Sequence, residues 1–350
     1  MAGLIVYSNG TCNILRPSYL HYFAGFRPMG PNNAAIVSAS GEVALLLEPA
    51  WDERRAKRWT WIDDVRGVSN FKDALEAAVR GMGIDGPIGL AGGGQMPRAA
   101  LATTLAIQSA DDIIDEIAKA KSPEELDLVR RLGRIADAGF EAFRARSRPG
   151  AREYELVAET EYAMRCAGAD DNFILMSSAP HNTAMRNPTD RKLAPGDIVI
   201  GEITPVRDGQ FLQICRTVVI GEPAPVLIEK YDLLIRAWRA AVSEIRIGVP
   251  ASVVAGAIDS ILTQAGYGRY CQPPYMRTRG HGLGVGSVSP GATIDSETEA
   301  PLLENGVIVA HPNQYLPETG YLACGETYIV TSSGAERLSQ TETKLYVNEI

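Results

Sequence analysis

The chain has 350 residues, of which 45% are hydrophobic and 22% charged, the composition of a globular protein long enough for two domains or one large one. A formal net charge of −8 argues against a nucleic-acid-binding surface, which needs clustered Lys and Arg. We expect no membrane span and a cytoplasmic location, because there is no run of 18 apolar residues, no signal-peptide pattern and no C-x-x-C pair among five scattered cysteines.

The first 118 residues predict a small α/β domain. Two apolar runs around Ser-Gly in 34–49 are typical of a hairpin, and 71–83 has helical spacing and ends in glycine. Residues 86–94 resemble a buried strand that runs into a glycine turn. The character of the sequence changes over 115–122, where Ser122 followed by Pro123 predicts the start of a helix. We therefore expect one domain over 1–118 and a second over 119–350.

The second domain is predicted to mix helices with strands. The RDG tripeptide at 207–209 joins two β-rich runs and is typical of a hairpin. The expected helices and strands, in chain order, are helices over 122–143 and 151–168, a hairpin over 196–223, helices over 226–248 and 250–266, and strands within 305–317 and 320–339.

The stretch RGHGLGVGSVSPG, residues 279–291, places His281 between two glycines. Neither neighbour has a side chain that would shield the imidazole, and the backbone of such a segment can come close to a ligand. Three of the four histidines, His181, His281 and His311, lie in separate segments of the second domain. We therefore expect His281 to lie at the edge of a catalytic cleft.

Several segments carry a resemblance to one family. YLHYFAGFRP (19–28) and EPAWDERRAK (48–57) precede NPTDRKLAPGDIVI (187–200), DGQFLQICRTVVIGEP (208–223), GHGLGVG (280–286) and GETYIVTSSGAERLS (325–339). In this order they resemble the creatinase/prolidase/methionine aminopeptidase (M24) family. The resemblance implies a small N-terminal creatinase-like α/β domain, a C-terminal pita-bread domain of α/β class, and a homodimer.

The same resemblance implies where a metal site would be. Peptidases of this family hold two divalent metals with Asp, Asp, His, Glu and Glu. The matching positions here are Glu202, Gln213, His281, His311 and Gly325. Two adjacent dications need several anionic oxygens, and these positions supply one carboxylate. We therefore expect a divergent member without a dinuclear centre and without ordinary peptidase action.

The expected function is metal-independent, non-peptidase hydrolysis of a C–N bond in a small polar metabolite, as the resemblance to creatinase implies. His281 and His311 are the predicted catalytic imidazoles, since a histidine can take a proton from water and pass it to a leaving nitrogen. Glu202 would orient a histidine or bind a substrate cation. The sequence does not rank His281, His311 and His181 as the general base.

Further residues are expected to bind the substrate. His181, Gln213 and Glu326 would line the cleft, and Phe26 and Arg27 would close it from the partner subunit, as in creatinase-like dimers.

Two alternatives stay open. In one, Glu202, His281 and His311 hold a single Zn or Fe ion for lyase or hydrolase chemistry. In the other, the chain is a catalytically inactive pita-bread module that binds a peptide or protein.

Overall fold

The computed structural model describes residues 1–10, 18–101, 104–276, 278–288 and 290–350; Cys12 and Ser289 lie outside them. The chain divides into two compact units, Met1–Ala118 and Lys119–Ile350. Within the described ranges, no helix is both long and apolar enough to cross a lipid bilayer.

Unit 1 is built on a six-stranded mixed sheet with the order β4-β3-β2-β1-β5-β6. Its strands are Gly3–Ser8 (β1), Asn32–Ser38 (β2), Val43–Glu48 (β3), Asp64–Gly67 (β4), Ile88–Ala91 (β5) and Ile107–Ser109 (β6). Its helices are Tyr19–Ala24 (α1), Glu53–Trp59 (α2), Phe71–Gly81 (α3), Arg98–Leu101 (α4) and Asp111–Lys119 (α5). The predicted hairpin is confirmed as the antiparallel pair β2–β3, and the predicted helix as α3.

Both faces of this sheet are covered. Successive side chains of β1 point to opposite faces, and residues on both faces are buried. Ile5 and Tyr7 pack with α3 in one apolar cluster, whereas Val6 packs with α1 residues such as Leu20 in the other. Phe26 belongs to this second cluster and is 2% exposed.

Unit 2 contains two five-stranded sheets and one two-stranded hairpin. The first sheet has the order β18-β10-β8-β7, with β9 paired to β8, and the second has the order β12-β11-β13-β16-β17. The strands are Asp171–Ala179 (β7), Ile198–Arg207 (β8), Gln210–Phe211 (β9), Ile214–Ile220 (β10), Gly280–Gly282 (β11), Thr293–Ile294 (β12), Val307–Ala310 (β13), Gln314–Leu316 (β14), Gly320–Leu322 (β15), Glu326–Thr331 (β16), Gly334–Arg337 (β17) and Tyr346–Asn348 (β18).

In the described part of unit 2, four helices pack on these sheets: Pro123–Arg146 (α6), Glu153–Cys166 (α7), Pro225–Glu244 (α8) and Ala251–Gln264 (α9). The start of α6 is fixed by a capping box in which Ser122 and Glu125 satisfy each other's backbone N–H groups. The helix lies close to β8 at Gly201, where a Cβ atom would come within 2.7 Å of the Phe143 ring. On the opposite face of β8, Ile198 and Ile200 pack in an apolar cluster with residues of the second sheet such as Ile308.

The two sheets are joined by backbone pairing between Cys215 of β10 and Gly325, just before β16. Their N–H groups donate to each other's carbonyl oxygens at 3.0 and 3.1 Å. The Thr327 hydroxyl donates to the Gln213 carbonyl at 2.6 Å and accepts from the Gln213 N–H at 3.2 Å. This seam brings residues more than 100 positions apart in sequence onto one surface.

A buried carboxylate ties α7 to the segment that leads into β8. Glu153 accepts hydrogen bonds from Arg186 at 2.6 Å, from the Thr189 hydroxyl at 2.7 Å and from the Ser178 hydroxyl at 2.7 Å. Burial alone would raise the pKa of Glu153, but these hydrogen bonds outweigh burial and lower the pKa to about 2.

We predict that Glu153→Gln destabilises the protein by about 3 kcal/mol at neutral pH, because the ionised carboxylate is the form that folding stabilises. The difference from wild type should vanish as the pH falls through about 4.5 toward about 2, where the native carboxylate also gains a proton. Denaturant unfolding across this range measures it. Glu159→Gln, at an exposed position of the same helix, is the matched control. A loss that does not depend on pH would contradict the prediction.

Candidate functional site

The candidate site is a row of residues that crosses the seam between the two sheets. Glu202 on β8 pairs with Cys215 on β10, which pairs with Gly325. The register of β13 with β16, in which Ala310 faces Glu326, places His311 opposite Gly325. Directly paired residues share one face of a sheet, so Glu202 and His311 stand at the two ends of a trough. Its floor is low because Cys215 is small and Gly325 has no side chain.

The Glu202 carboxyl makes no hydrogen bond and no ion pair with the described residues. Its side chain is only partly buried in the fold. Burial raises the pKa of Glu202 to about 7. At neutral pH this carboxyl is therefore divided between its acid form and its ionised form.

His281 and His311 lie on the same face of the second sheet, because His281 pairs with Val309, two residues before His311. Their ring centroids are 5.5 Å apart, in an edge-to-face arrangement with a 65° interplanar angle. The Nδ1 of His281 lies 3.1 Å from the Gly282 carbonyl oxygen. A carbonyl oxygen only accepts, so Nδ1 carries the proton and Nε2 of His281 keeps its lone pair.

Both imidazoles are held neutral. Burial lowers the pKa of His281, and burial together with the neighbouring His281 lowers the pKa of His311 to about 3. The buried Nδ1 of His311 has no hydrogen-bond partner in the described chain. The two imidazoles therefore carry no positive charge, and the Nδ1 of His311 is free to hydrogen-bond to a ligand.

Gly325 is the residue that makes room for His311. A Cβ atom at position 325 would lie 2.6 Å from the His311 Cβ and 3.2 Å from the Cys215 Cβ. Real Cβ atoms essentially never come as close as 2.6 Å, the 3.2 Å approach to Cys215 is also tight, and neither neighbour is the end of a flexible side chain. A side chain at this position is therefore incompatible with His311 as it is seated.

Tyr321 and Asn313 also belong to the site, although no sequence motif identified them. Burial raises the pKa of the Tyr321 phenol above its ordinary value, with smaller contributions from Cys215 and Glu202. The Asn313 amide donates to the Cys215 thiol at 3.5 Å, and its carbonyl accepts from the Cys324 N–H at 2.8 Å. The one available signal was the position of Asn313 two residues after His311.

An aromatic wall lies on the hairpin that carries Tyr321. Tyr315 of β14 pairs directly with Tyr321 of β15, so the two side chains share one face of the hairpin. The ring of Tyr315 stacks on Tyr275 at 5.4 Å and lies 5.9 Å from that of Tyr270. His181 meets Tyr315 edge-on at 5.7 Å, and its Nε2 lies 3.0 Å from the Pro317 carbonyl oxygen.

The structure places two of the predicted substrate-binding residues away from the trough. Glu326 points to the other side of β16, where its carboxylate pairs with Arg216 at 2.7 Å and Arg337 at 2.6 Å and is fully buried. Phe26 is buried in the core of unit 1 with the Arg55 guanidinium 4.3 Å from its ring centroid. Neither side chain is available to a substrate in unit 2 or on the surface.

Of the three remaining substrate-binding predictions, His181 contacts Tyr315 as described above, and Gln213 and Arg27 lie in different units. Gln213 is buried two residues before Cys215, so it shares the face of Cys215, and its amide lies 3.9 Å from the thiol. Arg27 is partly buried in unit 1. Its role in closing a partner's cleft stays a prediction.

The chain matches the model of Metallopeptidase family M24 over residues 127–332, more than half of its length. An Xaa-Pro dipeptidase from Pyrococcus furiosus is 26% identical over 341 residues, which cover 95% of this chain and 94% of that protein. An Xaa-Pro dipeptidase from Pyrococcus horikoshii is 26% identical over 335 residues, which cover 93% and 91%.

Solved structures resemble the fold over its whole length. A prolidase from Pyrococcus horikoshii OT3 superposes with a TM-score of 0.85 at 23% identity, covering 98% of this chain and 95% of that one. Dipeptidase PepE from Mycobacterium ulcerans gives 0.83 at 26% identity, covering 100% and 94%. The predicted α/β fold, with a creatinase-like N-terminal domain and a C-terminal pita-bread domain, is confirmed.

The predicted activity is wrong. Non-peptidase hydrolysis of a C–N bond in a small metabolite is contradicted by relatives that are named as Xaa-Pro dipeptidases and match nearly the whole chain. The error came from inferring a reaction from the loss of metal-ligand types. The residues at the metal positions show which ligands remain, but they do not identify the bond that is cleaved.

The expectation of a metal-independent site is contradicted as well, because the matching family is one of metallopeptidases. The donors in the described trough nevertheless do not fit the two-metal set of that family. Glu202 is the one carboxyl in the row, and within the described residues no three His, Cys, Asp or Glu side chains are grouped closely enough to hold a metal. Two adjacent hard cations need more anionic oxygens than one carboxyl supplies.

We predict that Gly325→Ala destabilises the protein by about 1–3 kcal/mol, since the added methyl group has to displace His311 or the seam at Cys215. Thermal unfolding measures the loss. Gly256→Ala is the matched control, because no atom lies within 4 Å of its added Cβ inside α9. That control should gain about 0.5–1 kcal/mol from helix propensity. Equal stability of the two variants would show that position 325 is not crowded.

Several independent features indicate the family to which this chain belongs. The second unit carries the glycine-flanked His281 on a strand beside His311, the fold superposes on solved prolidases over both units, and the family model covers more than half of the residues. The chain belongs to Metallopeptidase family M24.

Proposed function

We propose that this chain hydrolyses the peptide bond of dipeptides that end in proline. The observation that carries the proposal is the extent of the match to an Xaa-Pro dipeptidase, which includes 95% of this chain and 94% of that relative. A match that spans both units is evidence for a shared activity beyond a shared pita-bread domain. The trough in unit 2 is the site we assign to the reaction.

The trough has groups that suit a peptide bond. The lone pair on Nε2 of His281 can accept a proton from an attacking water, because Nδ1 already donates to Gly282. The unsatisfied Nδ1 of His311 can hydrogen-bond to the peptide group. The Tyr321 phenol keeps its proton at neutral pH and can donate it to a developing oxyanion.

The test is release of free proline from a panel of dipeptides, with Gly-Pro and Ala-Pro as substrates and Gly-Leu as the non-proline control. We expect proline release that falls by about 10²-fold or more in His281→Ala, the loss typical of a removed general base. His21→Ala, in α1 of unit 1, is the matched histidine control and should keep wild-type activity.

Each assay is run after chelation and again with added Mn²⁺ or Co²⁺. Failure to release proline from any Xaa-Pro dipeptide under every metal condition would overturn the proposed function. Equal turnover of Gly-Leu and Gly-Pro would mean that the protein is a peptidase without specificity for proline, which would overturn that part of the proposal.

We also propose that the protein works as a cytoplasmic homodimer. Three tryptophans of unit 1 support an interface: Trp51, Trp59 and Trp61 are 62%, 72% and 59% exposed. Large exposed apolar side chains of this kind mark protein–protein contacts. The four described cysteines form no disulfide, in keeping with a reducing compartment.

Light scattering on the purified protein measures the oligomeric state. We expect a dimer that Trp59→Glu converts to monomer, because burying a carboxylate in an apolar contact is unfavourable. Tyr162→Glu is the control, since Tyr162 is 70% exposed on unit 2. A wild-type protein that is monomeric at all concentrations, or a Tyr162→Glu variant that dissociates as readily as Trp59→Glu, would contradict this assignment.

A further inference from the structure

Arg279 has one of the largest fully buried side chains of the molecule, and it directly precedes β11, the strand of His281. Burial of a guanidinium is unfavourable unless its N–H groups are bonded and its charge is paired. Asp259 of α9 supplies the counter-charge, because its Oδ1 accepts from Nε at 2.7 Å and lies 2.7 Å from Nη2. The positive charge of Arg279 is therefore anchored to α9.

The same guanidinium also reaches the segment that follows His311. Its Nη1 donates to the main-chain carbonyl oxygen of Asn313 at 3.1 Å, and its Nη2 donates to Oε1 of Gln314 at 2.9 Å. The Gln314 amide in turn donates to the Tyr270 carbonyl oxygen at 2.8 Å, so both ends of that amide are held. One planar group thus connects β11, α9 and the start of β14.

His311 lies between two contacts to Arg279. Its N–H group donates to the Arg279 carbonyl oxygen at 2.9 Å, and two residues later the Asn313 carbonyl accepts from the guanidinium. The segment 311–313 is therefore fixed at one end by the main chain of Arg279 and at the other end by its side chain. The Asn313 amide donates across the seam to the Cys215 thiol. A shift of the Asn313 carbonyl would displace both the imidazole and this amide.

These contacts require an arginine rather than any cation. A guanidinium presents five N–H donors in a fixed plane, whereas an ammonium is a compact charge with three donors on one atom. Lysine at this position would keep a positive charge for Asp259. It would not reach the Asn313 carbonyl and the Gln314 amide at the same time.

We propose that Arg279 is a positioning residue of the trough. Its guanidinium, anchored by Asp259, holds residues 313–314 and thereby fixes the His311 imidazole and the Asn313 amide. In this role Arg279 does not touch the substrate, and it acts through the segment that it holds. The inference rests on the proposed function only where turnover is measured, and its first readout requires no activity.

The first experiment records long-range nitrogen–proton correlations of the imidazole rings at one fixed pH. The chain has four histidines, and each signal is assigned by its loss when that histidine is replaced with alanine. Arg279→Lys should shift the His311 signals and leave those of His21, in unit 1, unchanged. Asp259→Asn removes the anchor and keeps the guanidinium, so it should shift the same signals and provides the test if Arg279→Lys does not fold.

Arg191→Lys is the matched control for the loss of a forked ion pair. The Arg191 guanidinium donates to the two oxygens of Asp197 at 2.6 and 2.8 Å, outside the segment that carries His311. Its replacement should lower the melting temperature without shifting the His311 signals. A shift confined to the Arg279 and Asp259 variants therefore separates positioning from a general loss of stability.

The second readout is hydrolysis of Gly-Pro. Arg279→Lys should lower kcat by about tenfold or more, because small displacements of catalytic groups are costly even when the changed residue does not touch the substrate. KM should stay within about threefold of wild type, since the displaced groups act in the transition state. Arg191→Lys should keep the wild-type kcat.

The outcomes separate this inference from the proposed function. His311 signals that do not move in Arg279→Lys, or that move equally in Arg191→Lys, would overturn the inference whatever the activity of the protein. A kcat that falls equally in these two variants would overturn it as well. Shifted His311 signals in Arg279→Lys alone, in a protein that releases no proline, would support the inference and overturn the proposed function.

Discussion

The contact of Gly325 with His311 and Cys215 is the constraint on which the site depends. Backbone pairing at Cys215 and Gly325 joins the two sheets, and the absence of a side chain at 325 lets the imidazole of His311 sit against that seam. The same absence leaves the trough floor low between Glu202 and His311. One glycine thus connects the architecture of unit 2 to the shape of its site.

The charge distribution follows from this arrangement. The imidazoles are neutral because they are buried against each other, so the Glu202 carboxyl has no cation to offset its removal from water. The difference between a pKa of about 7 and the ordinary value of 4.5 corresponds to at most about 3 kcal/mol once the group is ionised, and to less where trough water solvates it. Strain of this kind is typical of binding sites rather than of cores.

Local signals in the sequence were sufficient for much of the fold. The Ser122 capping box begins α6, and the RDG turn joins β8 to β9 with Asp208 in the left-handed region at φ 48°. Side-chain direction was harder to predict: Gly325 and Glu326 are adjacent, yet only the first faces the trough. Tyr321 lies opposite Tyr315 through the pairing of β14 with β15, an arrangement that no motif encodes.

The predicted activity was wrong because it was inferred from the metal-binding positions alone, which do not determine the reaction. The identity of the donors limits which ions a site can hold, whereas similarity over both units shows the family and the fold of the chain. The row holds one carboxyl without an ion-pair partner among the described residues, beside two imidazoles whose pKa values burial lowers. The altered donor set and the family membership are therefore separate observations, the first about the ligands that remain in the row and the second about the fold and family of the chain.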